Sequence, residues 1–111
     1  MYRFRETPTF VEDADEVWSE EERSEFFVWL SANPEAGSVI RGSGGCRKVR
    51  WSRQGRGKSG GVRVVYYFPC EAMPLYLLTM FAKNERANLG KAERNALAGL
   101  VDVLVQIWLE R

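Results

Sequence analysis

CRKVRWSRQGRGKSGGVRVVYYFPCEAMPLYLLTMFA, residues 46–82, is the stretch on which the fold turns. It holds three strand-like runs, Cys46 to Ser52, Val62 to Phe68 and Leu75 to Ala82. Their Val, Tyr, Phe and Leu content suits a pleated, half-buried surface. The runs are separated by the basic, glycine-rich segment Gly55–Gly61 and by the turn Pro69-Cys70-Glu71-Ala72-Met73-Pro74. Connections this short join antiparallel neighbours, because a parallel pair needs a long crossover. The stretch therefore predicts a three-stranded antiparallel meander.

Upstream, residues 2–6 (YRFRE) alternate and read as a short strand. Pro8 then opens a short helical segment to about Asp15, since proline is pre-organised for the first turn. Ser19-Glu20-Glu21-Glu22 is a capping box, and its acidic first turn suits the helix dipole. Phe26, Phe27 and Leu30 follow at helical spacing, and Asn33-Pro34 ends that helix. Residues 34–45 read as a glycine-rich loop. Downstream, Gly90 with Glu93 marks a helix start. Leu97, Leu100, Val101, Leu104 and Trp108 then form an apolar stripe, with Val103, Val105, Ile107 and Leu109 on other faces. That helix packs on the sheet, and either all of its apolar surface is buried there or part of it is offered to a partner. The expected architecture is a single α+β domain over residues 1–111: an N-terminal strand and two helices, the meander, and a C-terminal helix.

Charge is distributed very unevenly. Residues 41–63 carry eight Lys/Arg (Arg41, Arg47, Lys48, Arg50, Arg53, Arg56, Lys58, Arg63) and no Asp or Glu. Residues 1–40 carry three basic and ten acidic residues, and residues 64–111 carry five of each. The formal net charge of +1 thus conceals a −7/+8/0 pattern. Positive charge this concentrated points to a polyanionic partner, nucleic acid first among them.

Several chemistries are disfavoured. The chain has no histidine, which removes Ser-His-Asp and Cys-His nucleophiles and most zinc sites. Two cysteines, Cys46 and Cys70, make no disulfide framework and read as small free thiols. No apolar run approaches a membrane span. The opening residues, MYRFRETPTF, lack the apolar core of a secretory signal, so a cytoplasmic location is expected. Gly55-Arg56-Gly57-Lys58-Ser59-Gly60 matches the letters of a dinucleotide fingerprint, but a strand follows where a helix is required. Its glycines and cations suit a hairpin loop that approaches phosphate.

Alternation along the first strand of the meander puts Lys48 and Arg50 on one face and Val49 and Trp51 on the other. Antiparallel pairing can bring Arg63 beside them, and Lys83 follows the third strand. Tyr67 shares a face with Arg63 and is the aromatic best placed to stack on a base. A solvated charge explains one such cation. Four converging on one face of a segment without acids argue for a phosphate-reading surface.

Three motifs in order carry a resemblance. They are Gly42-x-Gly44-Gly45-x-Arg47-Lys48-x-Arg50, then Gly57-Lys58-x-Gly60-Gly61-x-Arg63-x-x-Tyr66-Tyr67, then Leu77-Leu78-Thr79-x-Phe81-x-Lys83-Asn84-Glu85. The chain resembles the RelE/HigB toxins of bacterial toxin–antitoxin modules, most closely the HigB-like branch. The resemblance implies an mRNA interferase that cuts translated mRNA in the ribosomal A site by metal-independent attack of a 2′-hydroxyl on the adjacent phosphate. It implies no cofactor, no metal ligands and no membrane, and as partners the ribosome, mRNA and a cognate antitoxin, a helix-turn-helix protein. Lys48, Arg50, Arg63 and Lys83 match the catalytic positions; Lys83 takes the acid role because the arginine of RelE is replaced here by Asn84. Arg47, Arg53, Arg56, Lys58, Tyr67 and Asn84 are the implied RNA contacts. The stacking tyrosine of RelE falls near Gly90, and the histidines of some HigB enzymes are absent. The rival reading is a non-catalytic RNA- or protein-binding module of the same fold. A DNA-binding regulator is disfavoured, since no helix carries a basic recognition face.

Overall fold

A computed structural model describes residues 3–51, 61–82 and 89–110. In chain order its elements are β1 (Phe4–Glu6), α1 (Pro8–Val17), α2 (Glu20–Ala32), β2 (Ser38–Val39), β3 (Arg47–Trp51), β4 (Val62–Tyr67), β5 (Leu75–Ala82) and α3 (Lys91–Trp108). The five strands form one sheet in the order β1-β5-β4-β3-β2. The α+β class and the antiparallel β3-β4-β5 meander are as the sequence implies. Two features are added. β1 joins the sheet parallel to β5, and Ser38–Val39, within the stretch read as loop, pairs with β3 at the opposite edge.

The first helices start where their caps dictate. The Thr7 hydroxyl accepts from the Phe10 amide (3.1 Å) and itself donates to the Leu78 carbonyl (2.7 Å), tying the start of α1 to β5. At α2 both halves of the capping box form: Glu22 N–H donates to Ser19 Oγ, and Ser19 N–H donates to Glu22 Oε1. Such a cap contributes about 1 kcal/mol.

α1 and α2 cover one face of the sheet. Phe10 and Ala14 of α1 and Phe26 and Leu30 of α2 are fully buried there against Val49, Val64, Tyr66, Leu75, Leu77 and Met80. Rings connect the layers: Phe26 lies 5.1 Å from Trp18 and 5.3 Å from Trp51 between centroids. Arg23 fastens the two helices to β1 through ion pairs with Glu6 and Asp15.

α3 lies on the other face, over Cys46, Val65, Tyr67, Leu78 and Phe81. Only Val101 and Leu104 of this helix are fully buried, while Val103 and Ile107 are about half exposed (50% and 48%). Of the two alternatives for its apolar surface, part is buried and part faces outward. One helix cannot cover a face that two helices cover on the other side, and this asymmetry leaves room for a site. No helix among the described residues is long and apolar enough to cross a membrane. Both cysteines are free thiols, Cys46 buried and Cys70 exposed.

Candidate functional site

The register of β3 on β4 places Arg50 directly opposite Arg63, with Lys48 opposite Val65. Lys48 and Arg50 lie two residues apart on one strand face, so their Cα atoms are roughly 7 Å apart. The three cations therefore share the sheet face that α3 covers only in part. Arg50 is exposed, and Lys48 and Arg63 are half-buried. Like charges directly opposite on neighbouring strands repel and cost stability. One guanidinium nitrogen of Arg63 is buried without a hydrogen-bond partner among the described residues. An arginine pair with this geometry is poised for an anion with several acceptor oxygens.

The neighbouring edge is held in place by β3's other face. The Arg47 guanidinium donates to the carbonyls of Gly37 (2.7 Å) and Glu35 (3.2 Å). Tyr66, fully buried, accepts from the Gly37 amide (3.0 Å) through its hydroxyl, which donates to the Pro34 carbonyl (2.9 Å). Burial is the largest influence on that phenol and pushes its pKa up, with the Gly37 bond and the charge of Arg47 opposing. A Cβ on Gly37 would sit 2.9 Å from the Lys48 carbonyl and 3.0 Å from the Tyr66 ring, so only glycine fits. These contacts set β2 against β3 and so place the backbone that carries Lys48.

The RNA contacts implied by the resemblance meet different fates. Arg47 lies on the face opposite Lys48, as alternation requires, and its guanidinium donates to loop carbonyls, which sets it apart from the face of Lys48, Arg50 and Arg63. Tyr67 shares its face with Val65 beneath α3 but is only 6% exposed, so it presents no open ring for a base to stack on. Arg53, Arg56, Lys58, Lys83 and Asn84 lie outside the described residues.

Sequence reasoning did not single out Lys91, Arg94 and Asn95 near Lys48, and it named Arg41 only as part of the basic run. An open cleft of about 640 Å³ lies between residues 38–42, β3 and the start of α3, and Arg41, Lys48, Lys91 and Arg94 line it. Gly44, at φ +82°, comes so close to α3 that an added Cβ would lie 3.3 Å from Ala98 and Val101, which brings the 41–45 loop against the helix. Asn95 completes the helical side. The signal for Lys91 and Arg94 was their position in the first helical turns, but it needed the topology to show that this turn returns beside β2.

The sequence model of the family described as the RelE toxin of the RelE / RelB toxin-antitoxin system matches residues 35–110. The matched part begins after α2 and contains every residue of the basic face.

Proposed function

The chain belongs to the RelE toxin family, and from that membership and the basic sheet face we propose that it is a ribosome-dependent endoribonuclease that cleaves translated mRNA until a cognate antitoxin neutralises it. The carrying observation is the direct pairing of Arg50 with Arg63, next to Lys48, on the sheet face that α3 leaves partly open.

The chemistry needs three things. A base must take the proton of the ribose 2′-hydroxyl as its oxygen forms a bond to the adjacent phosphorus. Cations must neutralise the phosphorane that results. An acid must protonate the 5′-oxygen as the P–O5′ bond breaks, leaving a 2′,3′-cyclic phosphate and a 5′-hydroxyl. Lys48 and Arg50 are assigned proton removal and charge neutralisation, and Arg63 the phosphate clamp. Preorganised charge of this kind contributes about 3–4 kcal/mol per donor to an oxyanionic transition state. Lys83 is assigned the acid role. The nucleophile belongs to the substrate, so the reaction runs on protein cations and needs neither metal nor histidine.

The antitoxin of this reading is a helix-turn-helix protein that covers the basic face or docks on the helices. The acidic outer surface of α1 and α2, with Glu12, Asp15, Glu16, Glu20, Glu21 and Glu25, repels RNA and faces away from it.

Induced expression of the chain, followed by mapping of message ends, tests the reading. Growth arrest with new 5′-hydroxyl ends confined to translated message is the expected result. Lys48→Ala and Arg63→Ala should each relieve arrest while circular dichroism stays that of the parent. Folded variants as toxic as the parent would reject the site, and polyanion binding without any cleavage would favour the non-catalytic module.

A further inference from the structure

The basic face does not end at Lys48. It continues into the cleft between residues 38–42 and the start of α3, where Arg41, Lys91 and Arg94 add three cations beside Lys48 and no carboxylate is among the lining residues described. At about 640 Å³ the cleft is of a size that holds a nucleotide rather than a bare ion. The start of α3 reinforces its sign. Gly90 has no side chain with which to cap the first turn, and its amide donates to the Glu93 carboxylate (2.9 Å). The dipole of the 18-residue helix is positive at this end, and Leu89 and Lys91, on either side of Gly90, line the same space. Ser38 and Asn95 add neutral hydrogen-bonding groups on opposite walls.

We propose that this cleft is a second RNA subsite, which seats the phosphate and ribose of a nucleotide flanking the scissile one and so fixes the register of the strand across Lys48, Arg50 and Arg63. Arg41 grips from the loop wall and Lys91 from the helical wall. Arg94 serves both substrate and fold, since its guanidinium donates to the Leu89 carbonyl (2.8 Å) and holds the entry to α3. The strand is single and flexible, because the site is a concave cleft where a duplex surface is convex. The inference rests on the nuclease reading above for its partner, and it concerns positioning rather than bond breaking.

The test uses the full chain with Arg41→Gln and Lys91→Gln together. Both side chains are exposed, and neither substitution removes the Arg94 contact. Binding to a short single-stranded oligoribonucleotide is measured at several salt concentrations. Each lost phosphate contact lowers the slope of log affinity against log salt by about 0.7, so the double variant should lose about 1.4 in slope. The same variant on programmed ribosomes should raise KM more than it lowers turnover at saturation. Arg41→Lys with Lys91→Arg should restore the parent's slope, which a purely structural role would not predict. An unchanged slope and affinity in the double Gln variant overturns the subsite whether or not the parent cuts RNA. Lost antitoxin binding with RNA binding intact overturns it too, and marks the cleft as a protein-docking surface. A parent that binds RNA with the expected slope but never cuts sinks the nuclease reading and leaves the subsite standing.

Discussion

The two faces of the sheet are built from the same strands and have opposite fates. On β3, Val49 and Trp51 enter the core beneath α1 and α2, while Lys48 and Arg50, one residue removed, lie on the face of α3. On β4, Val64 and Tyr66 are buried beneath the helix pair, while Arg63 is half-buried opposite Arg50. Two helices close one face with interlocking aromatics. A single helix closes part of the other with Val101 and Leu104. The comparison teaches that a period-2 alternation can hold a hydrophobic core and a cationic surface on one strand, provided the covering layers differ in extent.

The helix-pair face should carry most of the stability. Phe26 is fully buried among Trp18, Trp29 and Trp51. Phe26→Ala should therefore cost about 3–5 kcal/mol, read as the shift in a urea unfolding midpoint. A loss below about 1 kcal/mol would break the contrast between the faces.

The cationic face should carry activity and little stability. Arg63→Gln keeps most of the side-chain stem and removes one of two facing charges. Turnover should fall roughly 10²- to 10³-fold, while stability stays within about 1 kcal/mol of the parent because the Arg50–Arg63 repulsion is relieved. Single-turnover cleavage alongside urea unfolding would separate the two effects. An equal loss of both would make Arg63 a core residue.

The apolar half of the α3 face should be sensitive to alkali. Burial pushes the Cys46 thiol from its ordinary 9.0 up to about 11, against a smaller opposing pull from its hydrogen bond with Ser43. Burial raises Tyr67 on the same face, and Tyr66 beneath the helix pair, as well. A raised folded-state pKa means that the unfolded chain loses its proton first. The stability is fully present below about pH 9 and is lost as pH climbs through about 11. Cys46 alone accounts for about 2–3 kcal/mol of that loss. Urea midpoints across this range should fall, and Cys46→Ala should flatten the slope. Thiol labelling near pH 8 should modify exposed Cys70 at once and Cys46 only on unfolding.

The smallest expected effect sharpens the account of the acidic layer. Ser19→Ala removes the acceptor for the Glu22 amide and should cost about 1 kcal/mol with cleavage unchanged. A change in cleavage would mean that α2 communicates with the basic face.

Much of the fold was legible because the signals are local. The meander follows from strand composition and short connections, and the α2 start follows from four residues, Ser19 to Glu22. β2 was not legible: two residues inside a glycine-rich stretch pair only because Arg47 and Tyr66 seize the carbonyls and amide around Gly37. The parallel seat of β1 beside β5 depends on α1 and α2 crossing back over the sheet, a long-range event that no local pattern encodes. At the site, the shared face of Lys48 and Arg50 was readable from period 2. The surroundings of Arg47 and Tyr67 were not readable, since residue type alone cannot tell a cation bonded to carbonyls, or a tyrosine beneath a helix, from one open to solvent.

By itself the sequence determined where the positive charge is concentrated, which residues alternate on each strand and where the first helices begin, because these depend on neighbours a few positions apart. Only tertiary structure decided that Arg50 faces Arg63, that Tyr67 is covered, and that Arg41, Lys91 and Arg94 meet beside Lys48. Those juxtapositions are set by strand register and helix packing between residues tens of positions apart, where coverage by α3 decides which side chains are buried and which meet solvent.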